Sequence, residues 1–207
     1  MKHYLPILYL ALCLLFSSCA SSFKSINPQN IPYSFTENTA DVQFSYAYDV
    51  LSLKGNKKYA KKEKKQRMRV VAVRITNNSE KSFRLNENLK LIVGNNPIVP
   101  IDPSIVGQDI KQGTWIYLLY IPLNFTLGAT TTTNMYGQME TSGGTTLPTG
   151  PLLSMYNILV ARSANKNFRT ELEKFNLLDK TIEPGQTVYG LISLYSLTAE
   201  PIKFEVQ

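Results

Sequence analysis

The sequence predicts a mainly β fold: an antiparallel β-sandwich interrupted by an inserted helical and apolar segment. Three observations carry that prediction. Short runs rich in Val, Ile, Tyr and Phe recur along the chain, several of them with strict alternation. Clusters of Asn, Gly and Pro separate these runs at short intervals, as turns between antiparallel strands require. The middle of the chain, about 102–179, abandons this alternation for long apolar stretches.

Taken in order, residues 41–53 are expected to form the first strand, with Val42, Phe44, Tyr46, Tyr48 and Val50 on one face and Gln43, Ser45, Ala47 and Asp49 on the other. From Lys54 to Arg69 the chain carries nine Lys or Arg against one acid, Glu63, and is expected to be a long connecting loop. Residues 68–76 (MRVVAVRIT) read as a β-branched strand closed by an Asn77-Asn78-Ser79 turn. Short strands are expected at 83–85, 89–93 and 98–101, the last two joined through Gly94-Asn95-Asn96. After the Glu183-Pro184-Gly185 turn, 187–197 and 201–206 read as closing strands.

The insertion has a different grammar. Residues 103–111 suit one short helix. Residues 114–127 (TWIYLLYIPLNFTL) are apolar on all sides and broken by Pro122. A Thr-, Ser- and Gly-rich stretch at 128–150 reads as mobile. Residues 152–161 are again nearly all apolar, and lead into Ala161, Ala164, Phe168, Leu172 and Phe175 at helical spacing. Arg169 and Glu173, four apart, support that helix from its exposed side. Trp115, Tyr117, Leu118, Leu119, Tyr120, Leu152, Leu153 and Tyr156 are the candidate membrane or partner contacts. Three readings stay open for this pair of segments: burial against the sandwich, a hairpin dipping into a membrane interface, or a spanning hairpin. Neither segment reaches the roughly 20 apolar residues that one span needs.

The N-terminus is an address. Lys2 is followed by an almost wholly apolar run from Leu5 to Phe16, and small Ser17 and Ser18 lead into Cys19. That is the layout of an export signal, residues 1–18. Leu15-Phe16-Ser17-Ser18-Cys19 resembles the lipobox of bacterial lipoproteins, with Phe16 in place of the usual aliphatic residue. The resemblance implies that Cys19 is diacylated and becomes the new N-terminus. Ala20 after it, by analogy with lipoprotein sorting, implies the outer membrane, and with no acidic run following to suggest surface display its periplasmic face is favoured over the cell surface. Residues 19–39, rich in Ser, Asn and Pro, read as the lipidated Cys and a flexible tether, and residues 40–207 as the folded domain.

Within that domain, VVAVRITNNSEKSFRL followed later by TIEPGQTVYGLISL resembles a group of bacterial immunoglobulin-like lipoprotein domains. The resemblance implies an immunoglobulin-like sandwich and no particular activity.

Cleavage before Cys19 also narrows the chemistry. It removes His3, the only histidine, and Cys13, one of two cysteines. Ser–His–Asp and Cys–His catalysis need an imidazole, and structural zinc, haem and iron–sulfur sites need Cys or His ligands. No metal and no cofactor is therefore expected. Without Lys2 the chain has 21 basic and 15 acidic residues, and the excess is local to the basic run. No nucleic-acid partner is expected, because no basic face with interleaved aromatics or known motif is visible. Lys57, Lys58, Lys61, Lys62, Lys64, Lys65 and Arg67 are candidates for binding anionic lipid or glycan, the alternative being a solvated loop. Glu171, Glu173, Asp179 and Glu183 are the nearest approach to a carboxylate cluster, as a glycan-acting enzyme would need. The expectation that fits best is a non-enzymatic, lipid-anchored envelope module that docks onto an envelope protein or the membrane.

Overall fold

The structure is a computed structural model that describes residues 19–206. The export signal, residues 1–18, lies outside the described residues. Helix and strand each account for 32% of the structure, so the fold is mixed rather than mainly β. The strands form several small sheets, and every named strand pair among the described residues is antiparallel. The chain divides into two compact units. Among the described residues, one joins Phe23–Gln112 to 164–206, and the other joins 19–22 to Gly113–Ser163. The compact insertion is thus narrower than 102–179.

The larger unit is built on a four-stranded sheet of β1 (Phe35–Asn38), β2 (Val42–Ala47), β3 (Met68–Asn77) and β12 (Thr187–Tyr195), in the order β1-β2-β3-β12. β3 alternates less than a one-sided strand should because both of its faces are covered. Val71, Val73 and Ile75 point into one core with Phe44, Tyr46 and Ile192. That core is shared with a second sheet, in which β5 (Leu89–Val93) lies between β13 (Ile202–Val206) and β6 (Asn96–Ile98). A short ribbon of β4 (Phe83–Arg84) and β11 (Thr181–Ile182) adds Phe83 and Ile182 to it. The opposite face of β3, through Val70 and Ala72, packs on a helical layer.

That helical layer departs from the sequence expectation in two places. The first strand ends at Ala47, and after Asp49 in the left-handed region (φ 55°) the chain makes a helical turn that buries Val50 and Leu51. The basic run is not a loop but helix α1 (Lys57–Lys65), which buries Tyr59, Ala60 and Glu63. Lys, Ala and Glu are good helix formers, and this inward triplet at i, i+1 and i+4 supplies the packing that fixes the helix. Helix α2 (Pro103–Asp109) starts at Asp102, whose carboxylate accepts the Ser104 N–H at 2.7 Å. The C-terminal half of α3 (Thr149–Lys174) lays Ala164, Phe168 and Leu172 on the same core, as their spacing predicts.

The segment expected as a tether is folded into this unit from Phe23 onward. Ile26 and Ile31 are buried, and β1 pairs with β2 in the register Phe35 to Tyr46. Isolated apolar residues without a period gave no sign of this. Glu171 fixes the segment: one carboxylate oxygen accepts from Ser25 Oγ at 2.7 Å and from the Ile26 and Asn27 amides at 2.8 and 2.9 Å.

The smaller unit contains a six-residue 3-10 helix (Trp115–Tyr120), a long hairpin and the N-terminal half of α3. The stretch 128–150, read as mobile, supplies most of that hairpin. β7 (Phe125–Leu127) pairs with β10 (Thr145–Leu147), and β8 (Thr130–Thr133) with β9 (Met139–Ser142). Asn134 organises the tip by accepting the amides of Tyr136 and Gln138.

Candidate functional site

The smaller unit is built inside out. In the N-terminal half of α3, small or polar Ser154, Asn157 and Ala161 are buried, whereas Leu152, Leu153, Met155, Tyr156 and Leu159 are exposed. The 3-10 helix repeats the pattern with its own period of three. Tyr117 and Tyr120 turn inward and stack at 6.3 Å, while Trp115 (70% exposed), Leu118 and Leu119 (62%) turn outward. Burial pushes the Tyr117 hydroxyl pKa upward, with Tyr120 and Cys19 adding to the shift. Six of the eight residues singled out from sequence therefore form an outward apolar surface. Tyr117 and Tyr120 do not; they belong to the unit's own small core with Ala161.

Polar groups explain why the small side chains face in. Asn157 Oδ1 accepts the Ala20 N–H at 2.7 Å, and its Nδ2 donates to Leu153 O at 2.9 Å. Thr149 Oγ1 donates to Leu123 O at 3.0 Å. Gly150 lies so close to the end of the 3-10 helix that an added Cβ would fall 2.2 Å from Tyr120 O. An apolar groove of about 480 Å³ results, lined by Ile121, Pro151, Met155, Ile158, Leu159 and Arg162.

The hairpin extends the surface with residues that sequence reasoning passed over. Met135 (91% exposed), Tyr136 and Met139 stand at or beside its tip. Charge was the signal that would have found them: from Gly113 to Ser163 only Glu140 and Arg162 are charged. Among the described residues, no helix is long and apolar enough to cross a membrane.

Cys19 is exposed and sits on this same unit. Its neighbour Ala20 packs against the Tyr117–Tyr120–Ala161 cluster and is held by the Asn157 side chain.

The basic residues form a second surface, on the larger unit. Lys57, Lys61, Lys64 and Lys65 follow the i, i+4, i+7, i+8 rule on the exposed face of α1, with Lys58 and Lys62 half-buried beside them. Arg67 follows the helix in the left-handed region, at φ 56°. The ion pairs Arg69–Asp49, Arg84–Glu87 and Lys90–Glu205 do not involve Lys57, Lys61, Lys64 or Lys65. Beneath it Tyr59 donates to Asn165 Oδ1 at 3.0 Å and accepts from Gln112 Nε2 at 3.2 Å.

The carboxylates do not converge. Glu171 is committed to residues 25–27, Asp179 lies 3.4 Å from Asn86 Nδ2, and Glu173 and Glu183 are exposed. The one buried carboxylate, Glu63, has its pKa pushed up to about 7, chiefly by desolvation. It faces β3, where one oxygen accepts the Val70 N–H at 2.6 Å. An open depression of about 570 Å³ beside the turn after β3 is lined in part by Asp41, Glu80 and Lys81. No protein-family model, curated protein or solved structure matches this chain.

Proposed function

We propose that the protein is a lipid-anchored, non-enzymatic docking module of the cell envelope. It is exported through residues 1–18, acylated at Cys19, and held on the periplasmic face of the outer membrane. The observation that carries this reading is the coincidence of Cys19 with the exposed, nearly uncharged apolar surface of the Gly113–Ser163 unit. A fold that spends its leucines on the outside does so where something other than water meets them. An immunoglobulin-like arrangement belongs to the same proposal, supported by two antiparallel sheets that share one core.

Growth with a clickable palmitate analogue tests the anchor. Label on the full chain, lost in Cys19→Ser, is the expected result. An unlabelled wild-type chain released in the soluble periplasmic fraction would overturn it.

A second reading is favoured by the ordered lysine row on α1. In that reading the row contacts anionic headgroups or glycans, each lysine contributing about 1 kcal/mol near an anionic surface.

A further inference from the structure

We propose that the outward apolar face of the Gly113–Ser163 unit lies in the interfacial layer of the bilayer, with Trp115 and Tyr156 at headgroup level. This rests on the reading of Cys19 as the lipid anchor, and it names the surface that the module docks on.

Three observations point to lipid rather than to a protein partner. The first is the inversion itself. In α3 the inward positions are Ser154, Asn157 and Ala161 and the outward ones are Leu, Met and Tyr, on two successive turns. Water penalises that distribution, whereas an apolar solvent favours it, because small and polar groups then gain by turning toward their own chain. The second is charge. Glu140 and Arg162 are the only charged residues in the unit's fifty-one-residue stretch, whereas a protein interface carries a polar rim. The third is attachment. Cys19 belongs to this unit and the Ala20 amide beside it is held by Asn157, so an acylated Cys19 keeps this unit within one residue of its lipid.

The surface is also composed as an interfacial layer is. Trp and Tyr lie among leucines, and exposed Arg162, which lines the apolar groove, can lay its stem on that groove and offer its guanidinium to a lipid phosphate. The depth is that of a lying amphipathic element, about 5–10 Å into the headgroup and acyl boundary.

Trp115 is the only tryptophan in the chain, so it reports on this surface without labelling. The full-length protein, processed in cells and reconstituted into vesicles of phosphatidylethanolamine and phosphatidylglycerol, is the sample. Phospholipids brominated near the headgroup end or near the methyl end of the acyl chain are the quenchers. The expected result is blue-shifted emission, quenched several-fold more by the shallow bromines than by the deep ones and shielded from aqueous iodide. Leu118→Asp combined with Leu119→Asp, both at exposed positions, should restore iodide quenching while leaving far-UV circular dichroism unchanged.

Water-like emission open to iodide, on protein whose Cys19 acylation is confirmed by mass, overturns the interfacial contact and leaves the anchor standing. Emission shielded from iodide yet insensitive to bromine also overturns it, and assigns the surface to a second copy or another protein. Bromine quenching of protein that lacks the acyl group removes the anchor and supports the contact.

Discussion

The buried carboxylate of Glu63 takes the place of a missing strand beside Val70. β2 pairs with β3 only as far as Ala47 opposite Ala72, so the Val70 amide, two residues further along β3, has no ladder partner on that side. Glu63 Oε1 accepts it at 2.6 Å, and Oε2 has no hydrogen-bond partner among the described residues. Arg69, Asp49 and Lys64 supply the nearest charges, with opposing effects.

The Glu63 carboxyl, raised from 4.5 to about 7, makes stability fall as pH rises. The native state holds the proton more tightly than the unfolded chain does. Its contribution is therefore fully present below the unfolded value and is lost as pH climbs through about 7, by about 3 kcal/mol in all. Glu63→Gln keeps an acceptor for Val70 and has no proton to lose. Urea unfolding midpoints across that window should show the variant matching the parent in acid and exceeding it above neutrality. Parallel pH profiles for the two proteins would refute this.

Gly190 on β12 leaves room for the chain that follows α3. A Cβ there would lie 2.2 Å from Leu177 Cγ and 2.7 Å from the Phe175 carbonyl, which also accepts the Leu191 amide. The backbone atom cannot yield cheaply, so Gly190→Ala should cost about 1–3 kcal/mol. Thermal unfolding measures this, and an unchanged midpoint would show that the two segments are not so closely packed.

Glu171 holds residues 25–27 across the fold. Glu171→Ala leaves the Ile26 and Asn27 amides without their acceptor, a loss of about 1–3 kcal/mol. Hydrogen exchange should show those two amides losing protection while β3 and β12 keep theirs. Loss of protection throughout the sheet would mean that the segment is integral to global stability.

Replacing Lys57, Lys61, Lys64 and Lys65 with Ser removes the exposed row on α1 and leaves Tyr59, Ala60 and Glu63 packed. If that row contacts anionic lipid, sedimentation with phosphatidylglycerol vesicles should weaken and lose most of its salt dependence. Binding unchanged by the four substitutions would eliminate the second reading.

Local physics made much of the larger unit legible. β3, β5 and β12 are β-branched runs bounded by turn residues, and the C-terminal half of α3 shows its buried stripe as a period of three and four. What the sequence concealed depends on distant partners. α1 looked like a loop because its lysines outnumber the three residues that pack it against β3. The strand-like register of β1 and the fixed course of residues 25–27 depend on Tyr46 and on Glu171, the latter about 145 positions away. On the smaller unit the outward leucines were visible as apolar residues, but their direction was not. Asn157 faces inward with its side chain bonded to Ala20, far away in sequence.

Residues 20–39, drawn out as a tether, would let the protein range about 65 Å from its lipid. The folded chain removes that leash: Ala20 is pinned by Asn157, and from Phe23 the backbone is already part of the larger unit. An acylated Cys19 would then work as a rivet rather than a rope. On that reading the Gly113–Ser163 unit has no slack beyond the Cys19–Ala20 link between itself and the lipid.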